Sequence, residues 1–296
     1  GIPLSIIGLE PGWHTHAYSC TYKWSDKYPD PQKFGDEIRQ RGLHLNLWEH
    51  AFTHPDAEFH DEIAPYSGDY LVWGGVVPDF ATNEARRIFA DYHRDKLVNL
   101  GIDGFKLDDS SDNTGSWSFP LPTEFPSGLD GEQYHSLFGT LYAKTILDAL
   151  GGQATLSEIR QMGALAAPYP FVLYSDLYDH RDFIRGCANM GFSGILWTPE
   201  YKYRESESRE DCIRRLQTLV FSVQLLVNCW YFDGTPWEIH NCADEVRELL
   251  VLRQKLIEMG LDPDDVEIRA AFFDDATFTD GTYNLPVEAR WSNIIN

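Results

Sequence analysis

The feature that most restricts this chain is the alternation of short β-type runs with helical stretches. Residues 3–9 (PLSIIGL) form an apolar run with β-branched members, followed by a Gly-containing loop. Residues 31–41 read as a helix, with Asp30 in cap position and Gly42 as a stop. A strand is expected at 43–48 (LHLNLW), then a long loop ending near Pro78. Residues 83–100 place Ala85, Ile88, Phe89 and Tyr92 on one helical face, and Gly101 closes that helix. A strand at 104–107 precedes a helix at 133–150, whose face carries Tyr134, Leu137, Phe138 and Leu141. Strands at 154–156 and 171–174, a helix at 179–190 and a strand at 194–197 follow. The largely apolar stretch 212–227 predicts a buried helix, 228–232 a strand and 243–259 a last helix.

Strands joined by helical crossovers imply an α/β protein with a parallel sheet. Short strands that run into polar, aromatic loops fit a (β/α)8 TIM barrel, whose chemistry gathers where the strands end. An open doubly wound sheet is the alternative, but no G-x-G-x-x-G or phosphate loop follows a strand. One barrel strand is unaccounted for. It is missing, or the C-terminal tail supplies it, with 266–273 and 289–295 as the plausible strands. The expected layout is a catalytic barrel over 1–260 and a C-terminal extension over 261–296 that packs on or completes it.

Charge narrows the partners. With 24 Lys+Arg against 46 Asp+Glu, the net charge of −22 repels phosphates and anionic lipid, so neither nucleic acid nor membrane is expected. No apolar run reaches the ~18 residues of a membrane span. The five cysteines are scattered without a C-x-x-C, which argues against a disulfide framework or a zinc site, and no cofactor is expected. With no signal-peptide pattern, localisation stays open and the cytoplasm is favoured. The aromatic fraction of 14%, with 9 tryptophans, is the unusual number: aromatics beyond core needs often line binding clefts, although most pack in cores.

The residues just past each expected strand are acidic and aromatic: Glu10 and Trp13; Trp48 and Glu49; Asp108, Asp109 and Asp112; Glu158 and Arg160; Asp176 and Asp179; Trp197 and Glu200; Trp230 and Asp233. A lone Asp at a strand end is more often a turn or helix cap than a catalyst. As a set, however, carboxylates with indole rings and one arginine suit a neutral sugar. Rings stack on sugar faces, carboxylates accept from hydroxyls, and two carboxyls can divide the acid and nucleophile roles. The most specific segment is 101–108 (GIDGFKLD). Lys106, two residues before Asp108, would set a cation beside that carboxylate, favouring its ionised, nucleophilic form. The bland reading is a buried ion pair that only positions the loop.

Several segments carry a family resemblance. They are GIPLSIIGLEPGW, YPDPQKFGDEIRQRGLHLNLW, PDFATNEARRIFADYHRDKLVNLGIDGFKLD, SEIRQMGALAAPYPFVLYSD, FSGILW and RRLQTLVFSVQLLVNCW. In order and spacing, over about residues 1–260, they resemble the catalytic barrel of glycoside hydrolase family 31, the α-glucosidases and α-xylosidases. The resemblance implies retaining hydrolysis of a small-molecule or oligosaccharide α-glycoside, without metal. Asp108 matches the nucleophile, Asp176 the acid/base, Arg160 the sugar-contacting arginine and Lys106 its supporting lysine. Glu10 falls where the family has a sugar-binding Asp. A retaining pair should stand ~5–5.5 Å apart. Asp179, three residues on, competes for the acid/base role. Trp13, Trp48, Asp109, Trp197, Glu200 and Trp230 complete the expected sugar site. The chain departs from the pattern at Pro199-Glu200, where the family has His-Asp, and at Asn228-Cys-Trp230, where it has Arg-Asn-His. Sugar identity therefore does not transfer.

Three other readings compete. His14-Thr-His16 with Lys106 suggests a metal-dependent amidohydrolase, but Pro11 and Gly12 separate the pair from its strand. The run from Asp108 to Asn113 suggests a calcium loop, yet Asn113 and Phe119 stand where Gly and Glu belong. A sugar-binding barrel with little turnover is the third.

Overall fold

The computed structural model describes residues 4–108, 118–152, 155–202, 204, 206–228, 235–259, 277–279 and 284–286. The chain divides into two compact units, Pro3–Leu173 and Tyr174–Asn296.

The first unit runs β1 (Ile6–Leu9), α1 (Pro31–Gln40), β2 (His44–Glu49), α2 (His60–Ile63), β3 (Ser67–Val72), β4 (Gly75–Pro78) and α3 (Asn83–Lys96). It continues with β5 (Gly104–Leu107), α4 (Gly131–Ala149), β6 (Glu158–Ile159) and β7 (Val172–Leu173). Strands β1-β2-β5-β6-β7 form one parallel sheet. Helical crossovers impose that direction, because a parallel pair needs a long return. The caps explain where the helices start and stop. Asp30 accepts from the Lys33 amide at 3.0 Å ahead of α1, and Gly42 leaves it at φ +72°. Thr82 caps α3, and Gly101 at φ +89° ends the turn after it. A reciprocal Asp130–Gln133 box starts α4. Between α3, α4 and the sheet lies an aromatic core, with Phe80 stacked on Phe138 at 6.0 Å and on Tyr142 at 5.6 Å.

Two expectations for this unit are corrected. The stretch expected as one long loop holds α2 and the hairpin β3–β4. Its two-residue turn is Trp73-Gly74, with φ +49° and +76°, the primed geometry that suits a twisted hairpin. Tryptophan is an unusual first turn residue, so only the Gly74-Gly75 pair marked the turn. The strand expected at 154–156 lies instead at β6. Upstream of it the Thr155 and Ser157 hydroxyls accept backbone amides, the latter from Phe105 at 3.0 Å, and this local bonding competes with the ladder.

The second unit contains α5 (His180–Ser193), β8 (Glu200–Lys202), α6 (Arg209–Val220), β9 (Leu226–Asn228), α7 (Pro236–Ile239) and α8 (Ala243–Glu258). Strands β8 and β9 pair in parallel. The strand expected at 194–197 is displaced to β8, because α5 extends to Ser193 and Gly194, at φ +67°, is spent in capping it. The apolar stretch expected as one helix over 212–227 is split between α6 and β9. Arg253 takes the carbonyls of Ser222 and Val223 at 2.8 and 3.1 Å, which holds that segment out of the helix. In the tail, β10 (Thr277–Thr279) and β11 (Asn284–Pro286) pair with each other in antiparallel fashion. The strands expected at 266–273 and 289–295 lie outside the described residues. Among the described residues no helix is long and apolar enough to cross a membrane.

Candidate active site

The parallel register lines up three strand ends in the first unit. Trp48 pairs with Lys106, and Lys106 with Glu158. Side chains alternate along a strand, so Trp48/His50, Lys106/Asp108 and Glu158/Arg160 each share a face. The backbone carries the alignment one step past the strands. The Asp108 amide donates to the Glu49 carbonyl at 2.8 Å, and the Arg160 amide to the Leu107 carbonyl at 3.0 Å.

Asp108 is held on both oxygens. The Trp48 indole donates to Oδ2 at 2.9 Å and the Arg160 guanidinium to Oδ1 at 2.7 Å. One donor is charged, the pair sits in a partly buried setting, and both stabilise the negative charge and fix the carboxylate's orientation. The Lys106 ammonium donates to Glu10 Oε1 at 2.9 Å, so β1 and β5 are tied by an ion pair at the same level. Glu10, Trp48, Lys106, Asp108 and Arg160 thus come together.

Trp13 does not present a ring to this surface. It is completely buried, and its indole donates to the Trp48 carbonyl at 2.7 Å, which gives it a packing role beneath Trp48. His14 shares that carbonyl. Its Nδ1 accepts the Tyr22 amide at 3.2 Å, so Nε2 carries the proton and donates to Trp48 O at 3.0 Å. With both nitrogens committed, His14 has no lone pair for a metal, and the amidohydrolase reading falls. Burial, the largest cause, pushes His14 and His50 down to about 3, so both are neutral at physiological pH. Glu49, on the opposite face from Trp48, is buried against the helices. His93 Nε2 lies 3.0 Å from one of its oxygens, and the Tyr142 hydroxyl donates to the other at 2.7 Å.

Three residues around Trp48, namely His50, Tyr18 and Trp73, escaped the sequence reading. The Asp108 charge acts on His50. Tyr18, 40% exposed, sits 5.5 Å from the Trp48 ring and 5.1 Å from Trp73 at the hairpin turn. His50 could have been found as the i+2 partner of Trp48, by the same spacing that joins Lys106 to Asp108. Tyr18 and Trp73 lie in loops with no comparable signal.

In the second unit Asp176 is exposed, three residues after Leu173. Asp179 occupies the N-cap position of α5 and is ion-paired with Arg204. Trp197 is 8% exposed and lies flat on α5, where a β-carbon at Gly186 would come within 2.3 Å of its ring. Glu200 is buried and accepts from the Asn228 amide at 2.8 Å. Asp109 and Trp230 lie outside the described residues.

Parallel strands with helical crossovers, and polar groups converging where those strands end, define a (β/α) barrel of the kind that carries a site on its C-terminal face. The model for the glycosyl hydrolases family 31 TIM-barrel domain matches residues 1–260, and the chain belongs to that family. Its fold is therefore of the (β/α)8 barrel type, with five parallel strands in the first unit and two in the second among the described residues. Solved structures agree. A family 31 α-xylosidase from a soil metagenome, complexed with xylose, superposes with a TM-score of 0.69 at 16% identity, covering 92% of this chain and 48% of that one. A family 31 sulfoquinovosidase from E. rectale, in complex with an aza-sugar inhibitor, gives 0.68 at 18%, covering 88% and 45%. A cycloalternan-degrading enzyme from Trueperella pyogenes, in complex with cycloalternan, gives 0.66 at 18%, covering 91% and 46%. The chain spans less than half the length of each, and at these identities the likeness is one of fold. No curated protein matches the chain.

Proposed function

We propose that this barrel hydrolyses an α-glycoside of a neutral sugar with retention of configuration, through Asp108 as nucleophile and Asp176 as acid/base. The observation that carries the reading is the doubly bonded Asp108 carboxylate at the end of β5, in a chain that belongs to a glycosidase family. Asp108 attacks the anomeric carbon while Asp176 protonates the leaving oxygen, and water then releases the sugar. Arg160 and Trp48 serve both halves. They aim the carboxylate in the first step and stabilise the charge it regains as the leaving group of the second. Asp176 is preferred over Asp179 because Asp179 stands at the N-cap position of α5 and is ion-paired with Arg204. Glu10, anchored by Lys106, is placed to accept from sugar hydroxyls.

The test compares aryl α-glucoside, α-galactoside, α-xyloside and N-acetylated analogues on wild type and Asp108→Ala. Release of aglycone by wild type, abolished in the variant and giving the α-anomer first, is the expected result. Equal release by both would defeat the reading. Sugar bound without release would favour a binding barrel instead.

A further inference from the structure

Two cysteines that the chemistry above does not use meet in the second unit. Cys212 on α6 and Cys242, just ahead of α8, are completely buried, with sulfurs 3.8 Å apart. The Glu207 carboxylate and His240 imidazole join them on the Cys212 side. One donor atom each from Glu207, Cys212 and His240 lie within 4.8 Å of one another. Glu207 is fully buried, His240 nearly so, and His240 Nε2 stands 3.2 Å from Glu207 Oε2. His240 and Cys242 are brought to the same place by Asn241, which turns the chain at φ +49°, a conformation asparagine tolerates.

We propose that Glu207, Cys212, His240 and Cys242 form a structural zinc site that fastens α6 to the start of α8.

Four observations support it. The donors are two sulfurs, an imidazole nitrogen and a carboxylate oxygen, a borderline-soft set that suits tetrahedral zinc. Two thiolates bound to zinc at ~2.3 Å subtend a tetrahedral edge of about 3.8 Å, the spacing these sulfurs already have. The Glu207 carboxylate is fixed by buried donors, as metal-bound carboxylates are, and one of them, the Tyr201 hydroxyl, also lies 3.3 Å from the Cys212 sulfur. Buried Arg215 donates to Oε1 and the Tyr201 hydroxyl to Oε2, while Arg215 also bonds the Lys202 carbonyl at 2.7 Å and covers the Tyr201 ring at 4.2 Å. The charges also close. Zinc would displace both thiol protons to solvent, so the dication balances two thiolates, and Glu207 balances Arg215. A neutral cluster is the form a buried site tolerates. The sequence hid this set because Glu207, Cys212 and the His240-x-Cys242 pair lack the usual close cysteine spacing.

The full chain, stripped with chelator and dialysed against zinc alone, should retain one zinc per chain and release two protons per ion bound. Cobalt in its place should give a sulfur-to-metal charge-transfer band with intense tetrahedral d–d absorption. That band should vanish in Cys212→Ser and persist in Cys187→Ser, a buried thiol elsewhere in the unit. If Cys212→Ser fails to fold, wild-type proton release and the cobalt spectrum decide. Substoichiometric zinc, no proton release, a Cys212–Cys242 disulfide in the purified chain, or an unchanged cobalt spectrum in Cys212→Ser would each overturn the proposal.

Discussion

Lowering the pH from 7 to 4.5 should loosen the loops that hold Trp48 against Asp108. His14 and His50 are buried neutral beside Trp48, and each is held down to about 3 from an ordinary 6.5, chiefly by burial. For His50 the Asp108 charge pulls the other way without prevailing. In the unfolded chain both histidines take up a proton below about 6.5, whereas in the folded chain they do so only near 3. The unfolded state therefore binds more protons across that window. Stability is complete above pH 6.5 and declines as the pH falls toward 3. Each pH unit costs about 1.4 kcal/mol per histidine, so two histidines over two units cost about 5.6 kcal/mol. That rivals the ~5–15 kcal/mol that stabilises a whole domain. The assay is the urea-unfolding free energy measured against pH for wild type and for His50→Gln, whose side-chain amide can keep the acceptor for the Phe52 amide. Titrating carboxylates contribute equally to both proteins and cancel in the comparison. Between pH 6 and 4.5 the wild-type slope should exceed the variant's by about 1.4 kcal/mol per unit. Parallel lines would refute the claim that His50 is buried neutral.

Two substitutions probe the same region. Arg160→Met removes a charge-assisted bond to Asp108 of on the order of 1.5–3 kcal/mol, so kcat/KM on an aryl α-glycoside should drop by roughly 10–150-fold with little change in melting temperature; a drop below about threefold would deny Arg160 its orienting role. Gly139→Ala places a β-carbon 1.8 Å from the Gln161 carbonyl, immediately after Arg160. It should cost about 1–3 kcal/mol of stability and lower activity with it, and an unchanged urea midpoint would show that α4 has room the structure does not give it.

The elements legible in the sequence are those whose ends carry their own signals. Asp30 and Gly42 bound α1, Gly101 closes the turn after α3, and the run Gly104–Leu107 matches β5 residue for residue. What escaped was set by tertiary partners. Arg253 decides where α6 stops, and nothing near Val220 announces it. The packing of Trp197 on Gly186 and the burial of Trp13 and Trp48 turned three expected ring faces into core. The same limit applied to charge pairing. Lys106-x-Asp108 revealed a shared face, but the Arg160 guanidinium that reaches Asp108 comes from another strand, 52 residues away.

The face shared by Trp48, Lys106, Asp108 and Arg160 follows from odd-even parity along neighbouring strands. One residue added inside β2, β5 or β6 would turn the donor or the carboxylate toward the helices, where Glu49 already lies. A residue added after Asp108 or Arg160 changes only the length of a loop. The charged floor is therefore intolerant of insertions within its strands, whereas the surrounding loops can lengthen, shorten and change composition. Change is thereby steered to the rim, while the Asp108 carboxylate keeps its address.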